Sequence, residues 1–138
     1  MRRTGVRSPR PIPCTAPPWG TLAAVDISTG EVAWEVSLGS TPEASSLPPI
    51  EGWPNAGGPI VTATGLVFIA ATTDQRIRAF DVESGEELWH HRLPRAGIAT
   101  PMTYEHDGRQ YVVIAAGGHG GWGLAVGDYV VAFALPEN

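Results

Sequence analysis

The residues with the clearest chemical potential lie near the end of the chain. In AAGGHGGWG, residues 115–123, Gly118, Gly120 and Gly123 stand at G-x-G-x-x-G spacing directly after the apolar run QYVVIAA. That spacing lets backbone approach a pyrophosphate when a helix starts in the loop and an acidic residue ends a second strand about 20 positions on. Neither condition holds. Only 15 residues follow Gly123, and LAVGDYVVAFALPEN reads as a turn and then a strand. The glycines therefore predict a loop that crowds its surroundings and carries two rings, His119 and Trp122.

The other polar candidates read as structure. His119 is expected to be a solvent-exposed loop residue. His90 and His91 follow Trp89 at a strand end, with no cysteine or carboxylate at metal-ligand spacing, so zinc is not indicated. His106 and Asp107 belong to EHDG, where Asp-Gly is hairpin chemistry. Asp128 precedes the last strand and suits a turn cap. Asp74 can pair with Arg76 or Arg78, and such a pair, if exposed, contributes at most about 1 kcal/mol. Ser40, Ser45 and Ser46 sit in a proline-rich loop without a G-x-S-x-G elbow, which argues against a hydrolase nucleophile. Cys14 is the single cysteine, so no internal disulfide forms and the redox compartment is not readable. No catalytic residue and no metal ligand is assigned.

The elements that hold these residues are set by an internal repeat. LAAVDISTGEVAWEV (22–36) aligns without a gap with IRAFDVESGEELWHH (77–91). Ala24, Asp26, Gly30, Glu31 and Trp34 match Ala79, Asp81, Gly85, Glu86 and Trp89. Each unit reads as a β-hairpin. The aspartate accepts backbone N–H groups in the turn, the glycine supplies a positive φ, and the tryptophan packs on the neighbouring repeat. Strands are expected in GPIVTA (58–63), GLVFIAA (65–71), QRIRAFD (75–81) and EELWHHR (86–92), which together make one four-stranded β-propeller blade. WGTLAAVD and EVAWEVS supply the last two strands of a preceding blade. GIATPMTYE, RQYVVIAA and DYVVAFALP supply three strands of the next. The reading is all-β, about two and a quarter blades, in a fold that closes with four to eight.

Composition agrees. There are 17 glycines and 13 prolines without a period, 43% hydrophobic and 17% charged residues, and a net charge of −5. This is a turn-rich β pattern, and no basic patch past the first ten residues supports nucleic-acid binding. The apolar runs are strand-sized, far short of the roughly 20 residues of a membrane-spanning helix. MRRTGVRSPRPIPCTAPP is basic without an apolar core, so it does not read as a signal peptide.

The pattern A-x-D-x-x-x-G-x-x-x-W, present as Ala24-Asp26-Gly30-Trp34 and Ala79-Asp81-Gly85-Trp89, resembles the tryptophan-docking motif of pyrroloquinoline quinone (PQQ)-dependent dehydrogenases. The flanking text, from Cys14 to Glu137, is similar to the C-terminal end of the membrane-bound quinoprotein glucose dehydrogenase type. Residues 1–13 are set apart as a non-homologous tail, and the blades are expected over 14–40, 56–93 and 97–136. The resemblance implies an eight-bladed propeller that holds PQQ with Ca2+ or Mg2+. It also implies oxidation of a sugar or alcohol in the periplasm and electron transfer to a quinone or cytochrome. The family's catalytic aspartate, basic residue and principal metal ligands lie on blades outside this sequence. The resemblance places Trp122 and Gly121 of GGHGGWG and Asn55 of WPNAGGP near the cofactor, and this chain alone is expected to be inactive and to bind neither PQQ nor metal tightly. A non-catalytic propeller scaffold of the outer-membrane assembly lipoprotein type, or a degenerate gene fragment, is the alternative.

Overall fold

The computed structural model describes residues 12–42 and 45–136; the rest of the N-terminal tail, residues 1–11, lies outside the described residues. Among the described residues nine strands form three antiparallel sheets, each strand hydrogen-bonded to its neighbours in chain order. The first sheet holds β1 (Thr21–Val25) and β2 (Val32–Ser37). The second holds β3 (Ile60–Val61), β4 (Leu66–Ile69), β5 (Arg76–Asp81) and β6 (Glu87–Arg92). The third holds β7 (Met102–His106), β8 (Arg109–Ala116) and β9 (Tyr129–Ala134). Two, four and three strands are the half, whole and three-quarter blades that the repeat predicts.

The repeated turns form as their residue types dictate. The Asp26 Oδ1 accepts the Ser28 N–H at 2.8 Å and the Ser28 hydroxyl at 2.6 Å. The Asp81 Oδ1 accepts the N–H groups of Glu83 and Ser84 at 3.0 and 2.8 Å, and the Ser84 hydroxyl at 2.9 Å. These donors hold both carboxyls below the usual carboxylate range. Gly30 and Gly85 close the turns at φ 77° and 74°, the left-handed region that glycine enters without strain.

Gly85 has a second reason to be glycine. The Trp34 ring lies on it, so closely that a Cβ there would stand 2.7 Å from the Trp34 Cδ2. The Trp34 indole N–H donates to the Val82 carbonyl at 2.9 Å, joining the first sheet to the second. Trp89, its counterpart, reaches the third sheet differently. Its ring meets Phe133 edge-on at 5.3 Å and stacks on His91, and it stays 38% exposed.

Two cores follow from this stacking. Leu22, Leu38, Val67, Ile69, Ala71 and Phe80 fill the space between the first and second sheets. Ala70, Ile77, Leu93, Val112, Ile114 and Ala116 fill the space between the second and third. The middle sheet is covered on both faces, so four successive residues of β5 are buried, whereas every residue of β7 is exposed. Met102, Tyr104 and Val130 of the third sheet remain open to solvent.

One expectation is corrected here. Asp74 and Arg78 are not an exposed pair: their side chains are 2% and 6% exposed and form an ion pair beneath the β4–β5 turn. The first sheet and the 38–42 segment cover that turn, and no property of residues 74–78 alone reports the cover.

Candidate functional site

Antiparallel order sends alternate connections to opposite ends of the sheets. One end carries the long connections, residues 38–59, 70–75, 93–101 and 117–128, together with the approach to β1. The short hairpin turns lie at the other end.

Backbone hydrogen bonds stitch the long connections into one rim. The Gly20 N–H donates to the Gly52 carbonyl at 3.0 Å, and the Gly52 N–H to the Gly39 carbonyl at 2.8 Å. The Ala56 N–H donates to the Ala71 carbonyl at 2.9 Å, and the Ala71 N–H to the Gly97 carbonyl at 2.8 Å. The Gly118 N–H then donates to the Ala96 carbonyl at 2.9 Å. The ladder therefore runs unbroken from the Asn55 loop, through the β4–β5 turn, to the glycine loop. Ala71 at its centre is buried with φ 58°, a conformation alanine holds only where surrounding bonds fix it.

The glycine loop presents its rings on a single turn of 3-10 helix, Gly120–Trp122. The His119 carbonyl accepts the N–H groups of Trp122 at 3.0 Å and Leu124 at 3.2 Å. Gly118, at φ 68°, lies so close to Ala125 that a Cβ would sit 1.9 Å from the Ala125 carbonyl oxygen. This is the backbone crowding that the glycines predict, here of one arm of the loop against the other. A Cβ on Gly121 would stand 3.1 Å from the His119 ring, so Gly121 leaves that ring its place. His119 is exposed, as expected, but it also packs on Trp122 with ring centres 5.4 Å apart. Trp122 is itself 43% exposed, a broad apolar face offered at the rim.

Asn55 lies on a different loop, paired with Thr72 through an isolated β-bridge. Its Nδ2 is buried without a hydrogen-bond partner. A Cβ on Gly20 would come within 2.6 Å of that nitrogen, so the bare Gly20 backbone admits the amide. Trp53, two residues before it, meets Trp19 edge-on at 5.4 Å. Gly121 and Trp122 are thus brought together on one turn. Among the described residues no side-chain hydrogen bond or ring contact joins Asn55 to them, and the backbone ladder is the connection.

Sequence reasoning missed the polar network under this rim. Asp74 accepts hydrogen bonds from the Thr72 hydroxyl, the Ser40 N–H at 3.1 Å, the Arg76 N–H at 3.3 Å and both terminal nitrogens of Arg78. The Arg78 Nε continues to Glu87 at 3.1 Å, and Glu87 meets His90 at 2.7 Å. Burial alone would raise the Asp74 pKa, but Arg78 and the hydroxyl and N–H donors outweigh it and hold the carboxyl below its usual range. The available signal was strand alternation, which puts Arg78 on the same face of β5 as the buried Phe80. His90, His91, His106 and Asp107 all occupy exposed strand or turn positions. Among the described residues no group of three or more histidine, cysteine or acidic side chains is placed to hold a metal. A cleft of about 1150 Å3, lined by Phe68, Trp89, Tyr111 and Phe133, opens between the second and third sheets toward the hairpin end, away from the rim.

Known proteins resemble this chain in sequence and in fold. Residues 1–112, including the tail set apart above, match the family described as PQQ: Glucose/ethanol/alcohol dehydrogenase, beta-propeller domain. The chain is 49% identical over 137 residues to the quinoprotein glucose dehydrogenase of Escherichia coli, covering 95% of this chain and 17% of that protein. It is 51% identical over 136 residues to quinoprotein glucose dehydrogenase A of Acinetobacter calcoaceticus, with the same coverage. The quinohemoprotein alcohol dehydrogenase of Comamonas testosteroni superposes with a TM-score of 0.57 at 33% identity, over 78% of this chain and 14% of that one. The chain spans about 17% of the length of the curated relatives it matches. Its repeats, sheets and sequence together place it in the β-propeller family of PQQ-dependent glucose, ethanol and alcohol dehydrogenases.

Proposed function

We propose that this chain forms one wall of the cofactor site of a PQQ-dependent sugar or alcohol dehydrogenase that works in the periplasm and passes electrons to a quinone or cytochrome. The observation that carries the reading is the stitched rim, which holds an exposed Trp122 face and a buried, unpartnered Asn55 Nδ2 at one end of the blades. A flat, acceptor-rich ring system suits both. An indole face stacks on planar rings, and a buried N–H without an acceptor is costly until it meets one.

When bound, PQQ supplies a two-electron acceptor, and a divalent ion polarises its quinone carbonyl. This chain's own part is binding. Trp122 covers the ring plane and keeps water from it, Gly121 and Gly118 let the loop fold close, and Asn55 fixes orientation. Proton abstraction and metal ligation are assigned to other blades of the protein. The high identity to two glucose dehydrogenases favours this reading over a scaffold.

Two measurements test it. The 138-residue chain, supplied with PQQ, calcium, sugar or alcohol and an artificial acceptor, is expected to show no turnover. A hybrid in which residues 14–136 replace the matching segment of the E. coli glucose dehydrogenase is expected to oxidise glucose in a PQQ-dependent way. Turnover by the chain alone, or a folded hybrid that fails to take up PQQ, overturns the proposal.

A further inference from the structure

We infer that Asp74 is a positioning residue for the PQQ-facing rim, acting through Thr72 on Asn55. The inference rests on the cofactor-site reading above and adds to it a residue that touches no ligand.

The turn between β4 and β5 is the link. Two non-glycine residues flank it in the left-handed region, Ala71 at φ 58° and Gln75 at φ 61°. Such a turn does not hold its shape by backbone preference. Between those two residues stand Thr72, Thr73 and Asp74, all buried, and the Asp74 carboxylate ties the turn together. One oxygen takes the Thr72 hydroxyl and the Arg76 N–H; the other takes the Ser40 N–H, from the connection that follows β2. Arg78 spans both oxygens, and its Nη1 also reaches the Thr72 hydroxyl at 3.4 Å.

The turn so fixed is where the rim is anchored. Thr72 is the bridge partner of Asn55, and the adjacent Ala71 takes the Ala56 N–H and gives its own to Gly97. Thr72 also packs flat on Gly39, where a Cβ would collide with its methyl carbon at 2.5 Å. Asp74 therefore controls a segment that Asn55 leans on, and it does so with a charge. A neutral residue keeps the shape but loses the hold of Arg78 on both oxygens, and the Thr72 hydroxyl loses its strong acceptor.

The test uses the hybrid enzyme described above, prepared without cofactor and titrated with PQQ in the presence of Ca2+. Quenching of tryptophan fluorescence gives the half-saturating PQQ concentration without reference to turnover. Asp74→Asn is expected to raise it about tenfold, the lower end of what removing an outer-shell partner costs a bound group. Asn55→Ala is expected to raise it too, and the double variant Asp74→Asn/Asn55→Ala to be no weaker than Asn55→Ala alone, since residues acting in series are not additive. Unchanged PQQ binding in Asp74→Asn, with Asn55→Ala weakened, overturns the inference and leaves the cofactor-site reading standing. Additive losses in the double variant also overturn it. Unchanged binding in Asn55→Ala overturns the assignment of Asn55 and the inference with it. Should Asp74→Asn not fold, Asp74→Asn/Arg78→Gln removes the stranded cation and is read against the same outcomes.

Discussion

Gly30 and Gly85 occupy the same place in two copies of one turn, and the difference between them can be measured. Both are left-handed, at φ 77° and 74°, so an alanine at either meets the same backbone penalty, about 1 kcal/mol. Their surroundings differ. A Cβ on Gly30 meets nothing within 4 Å, while one on Gly85 meets three atoms of the Trp34 ring at 2.7 to 3.2 Å. Indole is rigid, and its N–H is tied to the Val82 carbonyl, so it cannot turn aside without losing that bond. Overpacking of this kind costs a further 1–3 kcal/mol or so. Gly30→Ala is therefore expected to destabilise by about 1 kcal/mol and Gly85→Ala by roughly 2–4. Urea denaturation of the chain followed by tryptophan fluorescence reads the difference. With a slope of about 2 kcal/mol per molar, the two midpoints should stand about 1 M apart. In a Trp34→Ala background the extra penalty of Gly85→Ala should vanish, because the colliding ring is gone. Equal midpoints for the two alanine variants, or a gap that survives Trp34→Ala, would refute the idea that Gly85 is kept for the docked indole.

Four further outcomes follow from the geometry. The folded-state pKa of Asp74 is depressed, so its contribution to stability is complete above the unfolded value of about 3.9 and is lost as pH falls through the lower folded value. Acid titration of the unfolding midpoint should thus decline below about pH 4, and less steeply in Asp74→Asn. That variant should also lose about 3 kcal/mol at neutral pH, since it leaves Arg78 buried with only Glu87 as an anionic partner. In the hybrid enzyme, Trp122→Ala should raise the half-saturating PQQ concentration while Trp122→Phe largely restores it, as measured by fluorescence titration; equal binding by all three would remove Trp122 from the site. Asp81→Ala strips the acceptor from the N–H groups of Glu83 and Ser84 and should lower the urea midpoint, with Asp81→Asn nearer to the parent protein.

The amino-acid sequence by itself determined the strands and their grouping. Period-two alternation and Asp…Gly turns are local properties, so β1, β2, β4 to β6, β8 and β9 fall inside the segments that pattern marks, β7 runs one residue past its segment to His106, and only two residues of the GPIVTA segment pair as β3. The repeat also foretold that Trp34 would pack on the next unit. What the tertiary structure alone decided is how far each side chain is buried and what it meets there. Asp74 and Arg78 read as an ordinary surface pair until the preceding blade covers them. Asn55 reads as a turn residue until Gly20 closes over its amide. Trp34 and Trp89 share one motif, yet the first is hydrogen-bonded on a glycine and the second lies half-open against Phe133. The reason is the same in each case. Pairing along a strand is written in neighbouring residues, whereas cover over a buried group comes from segments tens of residues away.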